Sequence, residues 1–239
     1  ATAIGTTVTA APGYPELAVK NLAELTGIDF KNSEDLIAAT SDCGAYMTLS
    51  SAIKGLAVKM TKVCNDIRLL ASGPRCGLKE INLPQLQPGS SIMPGKVNPV
   101  AAEVANQASF LAIGLDTTVM LAASAGQLEL NVMEPVITFA LYTQMKVMTN
   151  ECDTLRTKLV EGVTANTERC KDYVMNSIGI VTLLKPHFGY HKCAAIAKEG
   201  YTTGKSLHQI VVDEQHLMTQ AEWDATFNTQ NLIHPKFVK

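Results

Sequence analysis

Leu49, Ile53, Leu56, Met60, Val63, Ile67 and Leu70 follow one another at intervals of four, three, four, three, four and three residues. This is the 3.5-residue period of helices that pack side by side over a long seam. No proline interrupts the chain between Ser33 and Leu70, and Ser33 can act as an N-cap with Glu34 and Asp35 in the first turn. The pattern predicts one helix over residues 33–70, a rod of about 57 Å at about 1.5 Å per residue. One small domain cannot cover such a rod. A multi-helix bundle shared between subunits can.

The rest of the chain agrees with a helical fold. Residues 15–26 read as a helix closed by Gly27, and two more long helical stretches cover 99–124 and 135–160, with a short polar break at 125–127. Beyond Thr164 the helices become short, and Thr219-Gln-Ala-Glu222 spells a capping box. The expected architecture is therefore all-α: a long-helix bundle over residues 1–164 and a small C-terminal helical domain over 165–239. The opening run from Ala1 carries no initiator Met and no capping signal, as expected of a piece of a longer polypeptide.

Charge narrows the partners. Lys and Arg number 20 against 22 Asp and Glu, with no basic block, which argues against nucleic acid or an anionic membrane as the main partner. Only 18% of residues are charged while the hydrophobic share is an ordinary 46%, so part of the surface is expected to be covered by other subunits. Cys43, Cys64, Cys76, Cys152, Cys170 and Cys193 form no CxxC pair and no Cys/His metal spacing; they read as free, mostly buried thiols of a reducing compartment. No signal peptide and no uncharged run of membrane-span length is visible, and a cytoplasmic location is expected.

Between Ser72 and Asn98 the chain is rich in Gly and Pro, and its last part, Gly89-Ser-Ser-Ile-Met-Pro-Gly-Lys-Val-Asn-Pro99, carries the chemistry. Two hydroxyls, an ammonium and a helix start stand together. Asn98 is a good N-cap and Pro99 suits the first helical position. Amide groups at that helix start and the Lys96 charge favour an anion, and Gly89 and Gly95 allow the backbone to approach a ligand. The arrangement predicts a carboxylate or phosphate site with a serine beside it.

The order of those residues resembles the GSSxMPxKxNP signature of the fumarase/aspartase superfamily of lyases. Gly89, Ser90, Ser91, Met93, Pro94, Lys96, Asn98 and Pro99 all match it. The stretches Asn65-Asp-Ile-Arg68, Ser72-Gly-Pro-Arg75, Gly126-Gln-Leu-Glu-Leu-Asn-Val-Met-Glu-Pro135 and Asn176-Ser-Ile-Gly-Ile180 look like its aspartase branch, as do Thr2 to Thr6. Thr7 departs from the pattern, standing where the family has a glycine. The resemblance covers nearly the whole chain but only the C-terminal half of the family's polypeptide.

That resemblance implies reversible elimination of ammonia from L-aspartate to give fumarate. Ser90 would be the base that removes a proton next to a carboxylate, and Ser91, Lys96 and Asn98 would bind the carboxylate of the resulting dianion. Glu103 would pair with a catalytic histidine from another segment. The five histidines here, His187, His191, His208, His216 and His234, all fall after residue 164 and read as surface or local structural groups. The resemblance also implies a homotetramer with active sites built from three subunits, a dicarboxylate substrate, and no metal or organic cofactor. A fumarase that hydrates fumarate is the neighbouring reading, disfavoured by Gln127-Leu-Glu-Leu-Asn131. A non-catalytic helical assembly module is the rival from a different class.

Overall fold

The structure, a computed structural model, describes residues 4–234. Thr2 and Ala3 of the opening motif, and the last five residues of the C-terminal segment, lie outside the described residues. The chain divides into two compact units, Ala1–Thr164 and Ala165–Lys239.

Helix α1 (Tyr14–Thr26) starts with Pro15 in its first turn and stops at Gly27, whose φ of 71° lets its N–H turn back to the Ala23 carbonyl. The next long helix is shorter than its sequence predicts. Helix α2 spans Gly44–Leu70, 27 residues rather than the whole of 33–70. Two aspartates cause the difference. Asp35 Oδ1 accepts the amides of Ile37 and Ala38 at 2.9 and 3.0 Å, winding a 3-10 turn over Ala38–Thr40. Asp42 Oδ1 then takes the Gly44 amide at 2.9 Å, so α2 begins there. Ser33 caps nothing; its hydroxyl donates to the Asp35 carbonyl.

Helices α2, α3 (Val100–Ser124) and α4 (Glu134–Lys158) form the bundle, with α3 packed against both of the others. The buried seam of α2 is Ser50, Ala57 and Cys64, at heptad spacing, with Ile53, Met60 and Ile67 beside it. Leu49, Leu56 and Val63 sit one position away and are exposed, at 44%, 43% and 49%. The period is therefore as predicted, but its contact line is rotated by one residue. The cause lies in α3, whose buried face is mostly small: Ala101, Ala102, Ala105, Ser109, Ala112 and Ala122, with Asn106, Asp116 and Val119 among them. Small side chains on both helices allow close approach, and the larger row is left outside. Among the described residues α3 has the length and apolar composition of a membrane span, yet its alanines are packed in this bundle.

Polar layers cross the bundle. Ser50 Oγ lies 2.8 Å from Asp116 Oδ1, Lys54 Nζ 2.5 Å from Asp116 Oδ2, and Gln144 Nε2 donates to the Ala112 carbonyl at 2.9 Å. Burial pushes the Asp116 carboxyl up, but hydrogen bonds from Lys54 and Ser50 outweigh this and hold it below its ordinary value. Ser109 donates to the buried Glu151 carboxyl, which burial raises. Burial, reinforced by Glu151, also pushes the Cys64 thiol up to about 11. Cys43, Cys64 and Cys193 are buried while Cys76 and Cys152 are exposed, so the thiols are not mostly buried.

The second unit holds α5 (Thr167–Met175), a 3-10 helix (Ile178–Leu184), α6 (Lys185–Thr203, kinked at Gly189), a π-helix (Gln209–Glu214), α7 (Gln220–Thr226) and α8 (Thr229–Ile233). Its core gathers Leu184, Ile196, Leu207, Ile210, Val211, Trp223 and Phe227. The capping box at α7 forms as the sequence predicts, with Thr219 and Glu222 exchanging hydrogen bonds.

Candidate active site

The loop before α3 is a closed neck with a turned head. At the neck, Gly89 lies against Lys96 so closely that a Cβ there would stand 1.9 Å from the Lys96 carbonyl oxygen. Asn98 Nδ2 donates to the Gly89 carbonyl at 2.6 Å. Asn98 is not the N-cap: that position falls on Pro99, and α3 begins at Val100 with no side-chain cap. The Asn98 side chain instead ties the neck shut through its Nδ2.

In the head, Ser90 is half-buried and its Oγ accepts two backbone amides, from Ile92 and Met93, both at 3.1 Å. This is the hydrogen-bonded turn that a serine makes with the residues two and three positions on. It has a chemical consequence. Two N–H groups aimed at one hydroxyl oxygen are the donors that would stabilise a serine alkoxide. The nearby N–H groups that a serine base requires are thus supplied by the loop itself, from Ile92 and Met93.

Ser91 and Lys96 are exposed, and Glu103, in the first turn of α3, is half-buried. Ser90, Lys96, Asn98 and Glu103 are brought to one end of α3 by the loop and its first turn. Ser91 follows Ser90 in the exposed head. The recess under this end, lined by Leu83, Pro84, Asn98, Pro99 and Leu159, is too narrow to admit a water molecule. Among the described residues, no three His, Cys, Asp or Glu side chains come together as metal ligands.

Thr7, in the position where a glycine is expected, adopts φ 58°. This is the left-handed region that favours glycine, and the threonine bears the strain, about 1 kcal/mol. Neighbouring Gly5 has φ 75° and lies against the Leu36 carbonyl, 2.0 Å from where a Cβ would stand. At the other end of α3, buried Asn131 donates to the carbonyls of Ala122 and Ala123 at 3.0 and 3.1 Å and accepts the Met133 amide at 2.8 Å, closing the Gly126–Pro135 motif onto the helix.

A family model described as "Lyase" matches residues 1–114, and one described as "Fumarase C C-terminus" matches residues 180–234. The chain belongs to the fumarase/aspartase superfamily of lyases. Within it, the chain is 56% identical to the aspartate ammonia-lyase of Escherichia coli (strain K12) over 237 residues, 99% of this chain and 49% of that protein. It is 51% identical to the Helicobacter pylori (strain ATCC 700392 / 26695) aspartate ammonia-lyase over 238 residues, 100% of this chain and 51% of that one. The chain therefore spans about half the length of the curated relatives it matches. Among solved structures, the cobalt-bound fumarate lyase:delta crystallin of Brucella melitensis superposes with a TM-score of 0.89 at 41% identity, covering 94% of this chain and 48% of that one. The class II fumarase of Schistosoma mansoni does so with a TM-score of 0.89 at 32% identity, covering 98% and 52%.

Proposed function

We propose that this chain supplies the serine-loop part of an aspartate ammonia-lyase, an enzyme that reversibly eliminates ammonia from L-aspartate to give fumarate. The observation that carries the reading is the pair of amides, from Ile92 and Met93, on Ser90 Oγ. A serine hydroxyl is a feeble base unless its alkoxide is stabilised. As the alkoxide that these donors stabilise, Ser90 can take the proton from the carbon next to a substrate carboxylate and become the neutral hydroxyl. The dianion formed carries two negative charges on that carboxylate, and Ser91, Lys96 and the second amide hydrogen of Asn98 are the groups to hold it. Glu103 would orient a histidine from a segment outside this chain. The names of the relatives favour aspartate over malate.

The exposed row of Leu49, Leu56 and Val63 supports the further reading that the working protein is a homotetramer, with each site shared between subunits. A cytoplasmic location belongs to the same proposal.

The test uses the full-length parent protein, offered L-aspartate and L-malate separately, with fumarate followed by its ultraviolet absorbance. A signal with aspartate, abolished by Ser90→Ala while fold and oligomer persist, is the expected result. A signal with malate alone would move the protein to the fumarase branch. Normal turnover by Ser90→Ala would remove Ser90 as the base, and unchanged activity in every assay would favour the assembly-module reading.

A further inference from the structure

His208 occupies an unusual position in the second unit. It stands immediately before the π-helix, and its Nδ1 lies 3.3 Å from Asp213 Oδ2, five residues on. In an α-helix, residues five apart are rotated by about 140° and cannot meet. The wider i→i+5 winding brings them to one side. The π-helix is therefore what gives His208 its carboxylate.

The other ring nitrogen has a second acceptor. His208 Nε2 lies 2.8 Å from Gln220 Oε1 at the start of α7. The orientation of that amide is set from behind, because Gln220 Nε2 donates to Asp224 Oδ1 at 2.8 Å. Turning the amide over would place its oxygen against the Asp224 carboxylate, two acceptors face to face. Nε2 of His208 thus stands at hydrogen-bond distance from Gln220 Oε1 and Nδ1 at ion-pair distance from Asp213, an arrangement that an imidazolium, with a proton on each nitrogen, completes on both sides. Its ring also stands edge-on to Trp223, with centroids 5.2 Å apart and planes at 87°.

We propose that His208 is a proton-operated clasp. With both nitrogens protonated it ties the π-helix, through Asp213, to the start of α7, through Gln220, across the face of Trp223. Losing one proton leaves one of the two contacts without its hydrogen, and the start of α7 loosens. Charged and titratable neighbours on the surrounding elements have other partners. Lys205 pairs with Glu214, Lys192 and Glu199 both bond Gln215, and His216 bonds the Val212 carbonyl. Glu222 is held below its ordinary value by its bonds from Thr219, with His187 adding to this. Asp213 and Gln220 are the groups that engage the His208 ring.

Trp223 is the single tryptophan of these 239 residues, and the difference between the parent and a Trp223→Phe variant isolates its emission, which a protonated imidazole beside the indole quenches. The experiment titrates tryptophan emission of the full-length parent between about pH 8 and about pH 5, the range in which histidines change charge. It compares the parent with His208→Gln, Asp213→Asn and, as a control, His187→Gln. Hydrogen exchange of the α7 amides is followed in parallel, corrected for the intrinsic pH dependence. The expected result is a one-proton loss of emission on acidification that His208→Gln abolishes and His187→Gln retains. Asp213→Asn moves its midpoint to lower pH, and the α7 amides become better protected in acid in the parent but not in His208→Gln. Identical titrations in the parent and His208→Gln would overturn the proposal, as would an unmoved midpoint in Asp213→Asn.

Discussion

Gly89→Ala tests whether the neck of the loop sets where Ser90 stands. The added Cβ would lie 1.9 Å from the Lys96 carbonyl oxygen, and an ordinary contact begins at 3.4 Å, so the two backbones must part by about 1.5 Å. Both atoms that clash belong to backbone, which cannot swing aside as a side chain would. The same movement stretches the 2.6 Å bond from Asn98 to the Gly89 carbonyl to about 4 Å and breaks it. For stability the loss is one hydrogen bond in a partly exposed loop, about 1 kcal/mol, or a Tm lower by about 2–4 °C. For the rate it is far larger, because displacing a reacting group by about 1 Å costs about a hundredfold. Gly95→Ala is the comparison. Its φ of 78° makes alanine strained, but nothing lies within 4 Å of the added Cβ, so the neck stays shut. Initial rates of fumarate formation by the full-length parent, with thermal scans of each variant, provide the assay. A Gly89→Ala enzyme with parental rate and Tm, or one no slower than Gly95→Ala, would refute the reasoning.

Asn131→Ala removes three hydrogen bonds at a buried helix end, so a loss of about 3 kcal/mol is expected, read as a lower urea midpoint with an unchanged slope. Glu151 carries a carboxyl raised by burial above its ordinary 4.5, so its contribution to stability is complete below about that pH and is lost as pH rises through the raised folded value. Glu151→Gln should therefore flatten this part of the pH profile of urea midpoints and gain on the parent toward neutral pH; an unchanged profile would deny that the carboxyl is buried. Asp116, held low, acts in the opposite sense, and its contribution is lost as pH falls through its depressed value. The 239-residue chain by itself should be inactive and associate with rising concentration, and Leu56→Glu should reduce that association in light scattering; a well-behaved monomer would count against a shared bundle.

Some of this was legible in the residues and some was not, for reasons that differ by position. The period of α2 is visible because every seven-residue repeat must return a side chain to the same line. Which line makes the contact is not visible in α2, because the alanines of α3 decide it. The start of α2 was missed since Asp35 and Asp42 compete for amides that a helix would otherwise use, and competition of this kind has no periodicity. Thr219 and Glu222 were readable because a capping box is local. Asn98 looks like a cap in sequence because it precedes Pro99, but its Nδ2 bonds the Gly89 carbonyl, nine residues away in sequence, and no local pattern marks that contact. The loop stood out as a motif because its chemistry needs particular side chains at particular spacing. The two donors on Ser90 are backbone groups, which any residue could present, and so leave no mark in composition.

Ala57 and Leu56 are neighbours in the chain, but they answer to different audiences. A change at Ala57 alters how closely α2 and α3 approach, and is registered within this chain as folding. A change at Leu56 alters a side chain that this chain does not cover, and is registered by whatever meets that row. Substitutions along one helix, moved by a single residue, can therefore separate a defect of folding from a defect of assembly.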